Sequence, residues 1–380
     1  MVLNYCTRCL QPDTRPNTEF NRSGVCPACV YFAQHKKIDW EERRNTLIDL
    51  VSQYRNPSAQ YDCIIGVSGG KDSFRQAIWV RDCLKLRPLL VCLSYPPHQL
   101  SEIGASNLSH LIEAGFDVIQ SCPAPITWRN LMRSAFDIFV NWGKATELAL
   151  FAAVPRIAID YKIPLILWGE NPGLQLGDLG TLGSTGYDGN NLRNMNTLGG
   201  GGYNWMLNEG FNEKDLIAYR YPTIEEFEES KIQIVYLGWF LGDWSLLNNG
   251  SISALHGIKI RTDRVGKTGD LYGVSSLDED WVTLNQMIKY YKFGFGRASD
   301  YINEMIRLGT ISRDEAISVV SQFDGACADE YITSFCEYIN ITEEHFWEKV
   351  ISVTNQDLFV VDGPKKIRRK FVVGTGAMIV

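Results

Sequence analysis

Cys63-Ile64-Ile65-Gly66-Val67-Ser68-Gly69-Gly70-Lys71-Asp72-Ser73 joins an apolar strand to a glycine turn and then to a helix. The run 63–67 is short and apolar, as a strand covered on both faces must be. Phe74, Ala77 and Ile78 then fall at helical spacing. Two adjacent glycines let the backbone approach an anion with no side chain in the way, and the first amides of the following helix point at it. Ser68 and Ser73 offer hydroxyls, Lys71 a point charge, and Asp72 a carboxylate suited to a magnesium ion bridging phosphate oxygens. The stretch therefore reads as a pyrophosphate cradle. It lacks the Gly-x-x-x-x-Gly-Lys spacing of a Walker A loop, and the strand and helix on either side argue against a chance glycine turn.

Outward from this stretch the same alternation continues. Apolar runs at 89–93, 116–119, 164–168 and 232–237 predict strands, and segments 102–114, 128–142 and 147–161 predict helices. That order implies a parallel sheet covered by helices. Residues 169–205 are dense in glycine and asparagine, and a loop of this length is expected to act as a lid or binding surface. Helices are predicted over 281–291, 298–307, 313–322, 328–338 and 343–353, the third opened by a capping box of Ser312 and Glu315. The expected organisation is an N-terminal module over 1–40, a connecting helix within 41–60 with Leu47, Ile48 and Val51 on one face, a main domain over 61–255, and a mainly helical region over 256–380.

The N-terminal forty residues hold too little apolar periodicity to fold on a core of their own. Cys6-Thr7-Arg8-Cys9 and Cys26-Pro27-Ala28-Cys29 form two knuckles with the spacing of a zinc ribbon, so structural Zn2+ on Cys6, Cys9, Cys26 and Cys29 is expected, with an iron–sulfur cluster as the rival. Cys63, Cys83, Cys92, Cys122, Cys327 and Cys336 read as small buried hydrophobes. A net charge of −7 disfavours nucleic acid as a partner. With no long apolar run and no basic-then-apolar start, membrane insertion is not expected and a cytoplasmic location is.

Residues 68–73 resemble the PP-loop of the ATP pyrophosphatase superfamily, which includes GMP synthetase, NAD synthetase, asparagine synthetase and tRNA lysidine and thiolation enzymes. The resemblance implies an adenine nucleotide alpha hydrolase-like, Rossmann-like α/β domain, and cleavage of ATP between its α and β phosphates. A nitrogen-releasing glutaminase is not expected within the chain: Val2 follows Met1, and Gly325-Ala326-Cys327 lies between helical segments rather than in a strand-to-helix elbow. The order of the cysteine knuckles, the PP-loop, Trp168-Gly169-Glu170-Asn171-Pro172, Lys292-Phe293-Gly294-Phe295-Gly296-Arg297-Ala298, Ser312-Arg313-Asp314-Glu315-Ala316 and Phe323-Asp324-Gly325 is similar to that of the N-acetyl sugar amidotransferases of surface-polysaccharide and nonulosonic-acid biosynthesis.

That resemblance implies adenylation of the acetamido group of a sugar or nucleotide-sugar, then substitution by ammonia to give an acetamidino group. The ammonia would come from a separate glutaminase with a barrel partner related to the subunits of imidazole glycerol phosphate synthase. Lys71, Asp72 and Glu170 are the expected catalytic residues, and Ser68, Gly69, Gly70, Lys71, Asp72 and Ser73 the expected ATP contacts. Asn171, Arg193 and Arg297 are the expected substrate contacts. Two alternatives stand beside this: a PP-loop tRNA-modifying enzyme of thiolation or lysidine type, and a zinc-stabilised nucleotide-binding subunit without catalysis.

Overall fold

Five strands, β1 (Cys63–Gly66), β2 (Pro88–Leu93), β3 (Val118–Ser121), β4 (Leu165–Trp168) and β5 (Gln233–Tyr236), pair entirely in parallel in the order β3-β2-β1-β4-β5. The computed structural model describes residues 3–195 and 198–378. Side chains alternate across the sheet. Ile64, Val91, Ile166 and Ile234 pack beneath helices Pro125–Phe139 and Gly143–Asp160, while Ile65, Leu90, Leu167 and Val235 pack with helices Trp40–Ser52, Lys71–Leu84 and Glu102–Glu113. Strands covered on both faces need this apolar content in both registers. The chain steps from β1 out to β3 and then returns to β4 on the other side of β1. The loops after β1 and β4 therefore leave the sheet in opposite directions and open a crevice at its carboxyl edge.

Part of the glycine-rich stretch 169–205 serves the sheet. The Tyr236 amide donates to the Tyr187 carbonyl at 2.9 Å, and the Gly189 amide to that of Ile234 at 2.8 Å. Asn190 donates from Nδ2 to the Ile232 carbonyl and accepts from the Ile234 amide on Oδ1, at 2.9 and 2.7 Å. This hydrogen bonding closes the outer edge of β5, which would otherwise present unpaired groups. Leu182, Leu192 and Leu198 anchor the stretch in the core. Residues 196 and 197 lie outside the described residues.

The last hundred residues form helices Val282–Phe293, Arg297–Leu308, Arg313–Phe323, Asp329–Ile339 and Glu343–Val353. An antiparallel ribbon of β6 (Phe359–Val361) and β7 (Ile367–Arg369) follows, which the helical reading did not anticipate. The Ser312–Glu315 capping box is present. Expectations for four residues are corrected. Ile48 is 44% exposed, because Leu47 and Val51 sit four apart on one helix face and Ile48 lies a hundred degrees round from Leu47. Cys83 is exposed on the last turn of its helix and Cys122 just beyond β3, and Cys327 is only half-buried. Among the described residues, no helix is long and apolar enough to cross a membrane.

Candidate functional site

The loop between β1 and helix Lys71–Leu84 lies at the crevice. Gly69 has φ +84°, and a Cβ there would sit 2.5 Å from the Gly104 carbonyl oxygen, so position 69 excludes a side chain on both counts. Gly70 is the helix cap, and the Ser73 hydroxyl donates to its carbonyl at 3.2 Å. Asn107 pins the loop from outside, donating to the Gly69 carbonyl at 3.0 Å and accepting from the Lys259 amide at 2.7 Å.

Lys71 is buried, with Nζ 2.7 Å from Asp72 Oδ2. Asp72 Oδ1 accepts from Asn249 Nδ2 at 2.6 Å, and Asn249 Oδ1 in turn accepts from buried Arg75, which pairs with Asp243 at 2.7 Å. The Ser253 hydroxyl donates to the Lys71 carbonyl at 2.7 Å. A chain of five polar side chains thus fixes the lysine and its carboxylate before any ligand arrives. Sequence reasoning missed Asn249, Arg75 and Ser253. The only available signal was Arg75, a charge on a helix side otherwise marked by Phe74, Ala77 and Ile78.

The opposite wall is the end of β4. Gln76 Nε2 donates to the Leu167 carbonyl at 2.6 Å and ties the helix to that strand. Between the walls lies a cavity of about 240 Å³. Ser68, Gly70, Asp72 and Ser73 line one side, Gly169, Glu170 and Gln175 the other, and Val91, Leu93, Leu150 and Val154 form an apolar floor beside Phe151. Phe151 stacks on Trp168 with ring centres 5.3 Å apart. Polar groups converging at one end of an apolar slot suit a ligand with a flat apolar part and an anionic part.

Burial and, next, the negative charge of Asp72 push the Glu170 carboxyl up to about 7, against a hydrogen bond from Trp168. A carboxyl raised in the folded state favours folding most below its ordinary pKa, and that contribution is lost as pH rises through about 7. Glu170→Gln is therefore expected to raise thermal stability at pH 8, by on the order of 2 kcal/mol, and to change it little at pH 4. Melting curves at the two pH values check this; an equal shift at both would remove the burial argument.

The expected substrate contacts do not converge on this cavity. Asn171 is fully buried: its Oδ1 accepts from the Leu174 amide and its Nδ2 donates to the Gly238 carbonyl, so it ties the turn it opens to the segment after β5. Arg193 donates to the Pro222 carbonyl and lies over the rings of Tyr221 and Phe227, beside different surface hollows. Arg297 is buried and donates to the Ser276 hydroxyl at 2.9 Å.

A second constellation lies in the N-terminal module. The sulfurs of Cys6, Cys9, Cys26 and Cys29 are all buried and all within 4.8 Å of one another. Amides of Arg8 and Cys26 donate to the Cys6 sulfur, and that of Gln11 to the Cys9 sulfur. Such bonds favour thiolates. In isolation the four groups share protons unequally: hydrogen bonds from Cys26 and Cys29 hold the Cys6 thiol far below its usual range, and the Cys9 thiol is pushed up. The Cys9 and Cys26 sulfurs are 3.7 Å apart. A tetrahedral ion with metal–sulfur bonds of about 2.3 Å needs its ligands about 3.8 Å apart. A cubane binds each thiolate to a different iron and holds them farther apart. The four sulfurs form a donor set that can hold a metal.

Comparison with known proteins gives two kinds of result. The solved structures that resemble the chain include an NH3-dependent NAD synthetase from Campylobacter jejuni, at 14% identity and TM-score 0.29, covering 60% of this chain and 100% of that one. They also include the U34-tRNA thiolase NcsA from Methanococcus maripaludis with its [4Fe-4S] cluster, at 13% identity and TM-score 0.30, covering 89% of this chain and 96% of that one. No curated protein matches the chain. Residues 270–371 match the family model described as the C-terminal domain of the WbpG-like LPS biosynthesis protein. The placement among surface-polysaccharide biosynthesis proteins, made from the order of motifs, is thereby supported by a match that lies within residues 270–371.

Proposed function

We propose that the chain is an ATP-dependent amidotransferase that converts the acetamido group of a sugar, activated as a nucleotide, into an acetamidino group. The observation that carries this is the 68–73 loop, held open at the crevice with Lys71 and Asp72 fixed, beside a cavity whose apolar floor can receive an adenine. The acetamido oxygen attacks the α-phosphate; the new oxygen–phosphorus bond forms as the bond to the β-phosphate breaks, and pyrophosphate leaves into the loop. Lys71 stabilises the charge on those departing oxygens. Ammonia then adds to the activated carbon, Glu170 takes a proton from the added nitrogen, and AMP departs to leave the amidine. A magnesium ion, when bound, supplies charge neutralisation at the phosphates, and Asp72 is the carboxylate placed to hold it. In this reading the ammonia comes from a separate glutaminase with a barrel partner, and the four cysteines hold zinc.

The experiment is a direct assay. The protein is incubated with ATP, magnesium, an ammonium salt and a panel of diacetamido sugar nucleotides, and products are read by mass spectrometry. AMP, pyrophosphate and a sugar lighter by the difference between an oxygen atom and an NH group are expected. AMP formation that depends instead on added tRNA would replace this reading with the tRNA-modifying one.

A further inference from the structure

Helix Arg297–Leu308 lies in the segment 270–371 that the family model matches, yet its buried polar face reaches the elements that hold the 68–73 loop. Glu304 is buried, and both its carboxylate oxygens accept from the Leu246 amide, at 3.2 and 3.0 Å. Leu246 opens helix Leu246–Leu255, so this amide is one of those that no helical carbonyl can satisfy. A carboxylate there also meets the positive end of the helix dipole. Ser245 caps the same end by accepting from the Asn248 amide at 3.1 Å. One face of that helix carries Asn249 and Ser253, four apart and both fully buried. Ser253 holds the Lys71 carbonyl, and Asn249 Nδ2 reaches Asp72 Oδ1 at 2.6 Å. Asn249 can point only one way: Arg75 has donors alone, so it takes Oδ1 and leaves Nδ2 for Asp72. One turn along from Glu304, Arg307 donates to the Leu174 carbonyl at 3.3 Å, on the turn that carries Gln175. A single helix thus grips the elements behind both walls of the cavity.

We propose that Glu304 is a positioning residue: through helix Leu246–Leu255 it aims Asn249 at Asp72, and so sets the affinity of the site for a magnesium-bound nucleotide. Lys71 and Asn249 take two of the roughly four lone-pair sites of the Asp72 carboxylate. The side chain lines the cavity, so the remaining sites are open to a cation there. A magnesium ion demands near-ideal octahedral geometry, which makes its binding sensitive to how that carboxylate is turned. This inference rests on the 68–73 loop being the nucleotide site and on Asp72 holding the ion.

The test uses the full chain without sugar and measures Kd for ATP by calorimetry, once with magnesium and once with EDTA. Glu304→Ala and Asn249→Ala should each raise Kd with magnesium roughly tenfold and leave the value with EDTA nearly unchanged. Leu246→Pro breaks the same bond from the backbone side, at a first helical position that accepts proline after an extended residue, and should match Glu304→Ala. The double variant of Glu304→Ala and Asn249→Ala should be no worse than the poorer single one, because both act on the same bond to Asp72. Glu304→Gln keeps an acceptor oxygen and should stay close to the unchanged chain. Additive effects, equal weakening with and without magnesium, or an unchanged Kd in both Glu304→Ala and Leu246→Pro would overturn the proposal. Hydrogen exchange measured without nucleotide or metal gives a second reading: Glu304→Ala should speed exchange in 246–255 and in 71–84, and unaltered exchange in either segment also overturns it. If the unchanged chain fails to bind ATP while exchange still couples the two segments, the nucleotide assignment fails and the brace stands.

Discussion

Lys71→Ala is expected to lower ATP-dependent AMP release by roughly two to three orders of magnitude, the effect of removing one preorganised charge from a leaving group in an enclosed site. The size follows from how the lysine is held. Its side chain is only 6% exposed and its ammonium is already fixed 2.7 Å from Asp72, so little reorganisation is needed when pyrophosphate departs. Folding should be affected far less. Asp72 keeps its bond from Asn249 and stays 37% exposed, so its charge is not stranded when the lysine goes. The two effects are measured separately, AMP by chromatography and stability by thermal melting. AMP release within a few-fold of the unchanged chain, in a protein that melts normally, would remove Lys71 from the chemistry. A melting temperature that collapses would instead show that the lysine holds the loop together.

What the sequence made legible, and what it hid, follows from how far apart in the chain the partners lie. The 68–73 loop could be read because its strand, turn and helix are contiguous and each residue type has a local reason to be there. The five strands and the C-terminal helices were legible for the same reason, since periodicity is a local signal. The polar chain behind Lys71 was not, because Asn249 and Asp243 come from a helix and its lead-in about 170 residues later and carry no pattern. Asn171 stands beside Glu170 in the sequence, but its Oδ1 caps the next turn and its Nδ2 reaches the Gly238 carbonyl, and it does not line the cavity. Residues 187–190 read as loop because they pair with β5 through backbone and one asparagine side chain, with no hydrophobic alternation to announce it.

With zinc as the proposed occupant of the four-cysteine site, its removal should have the largest effect on stability. Around the four cysteines the buried apolar side chains are Val25 and Ala28, while Leu3 and Leu10 are buried instead in the C-terminal cluster, which leaves little apolar core to order some forty residues without the metal. Structural zinc supplies roughly 10–16 kcal/mol in small modules of this kind, which is comparable with the whole stability of an ordinary domain. The module does not stand apart from the rest. The Leu10 amide donates to Asn303 Oδ1 at 2.8 Å, Arg313 donates to the Cys9 carbonyl at 3.2 Å, and Arg15 pairs with Asp300. Asp300 sits between Arg15 and Lys289, whose charges hold its carboxyl down at about 2 despite burial. Tyr31 of helix Pro27–His35 packs close to Gly173, and Ala28 close to Gly177, on the turn that carries the cavity-lining Gln175. Loss of the ion should therefore spread from the module to the wall of the cavity beside the 68–73 loop. Prolonged chelation, or Cys9→Ser, is expected to lower the melting temperature by roughly 10 °C or more and to open residues 3–40 to proteolysis. ATP affinity should weaken along with them. Metal analysis should return one zinc per chain without iron or sulfide. A chain that carries no metal, and melts and binds nucleotide identically with and without chelator, would show that the four thiols hold the module by packing alone.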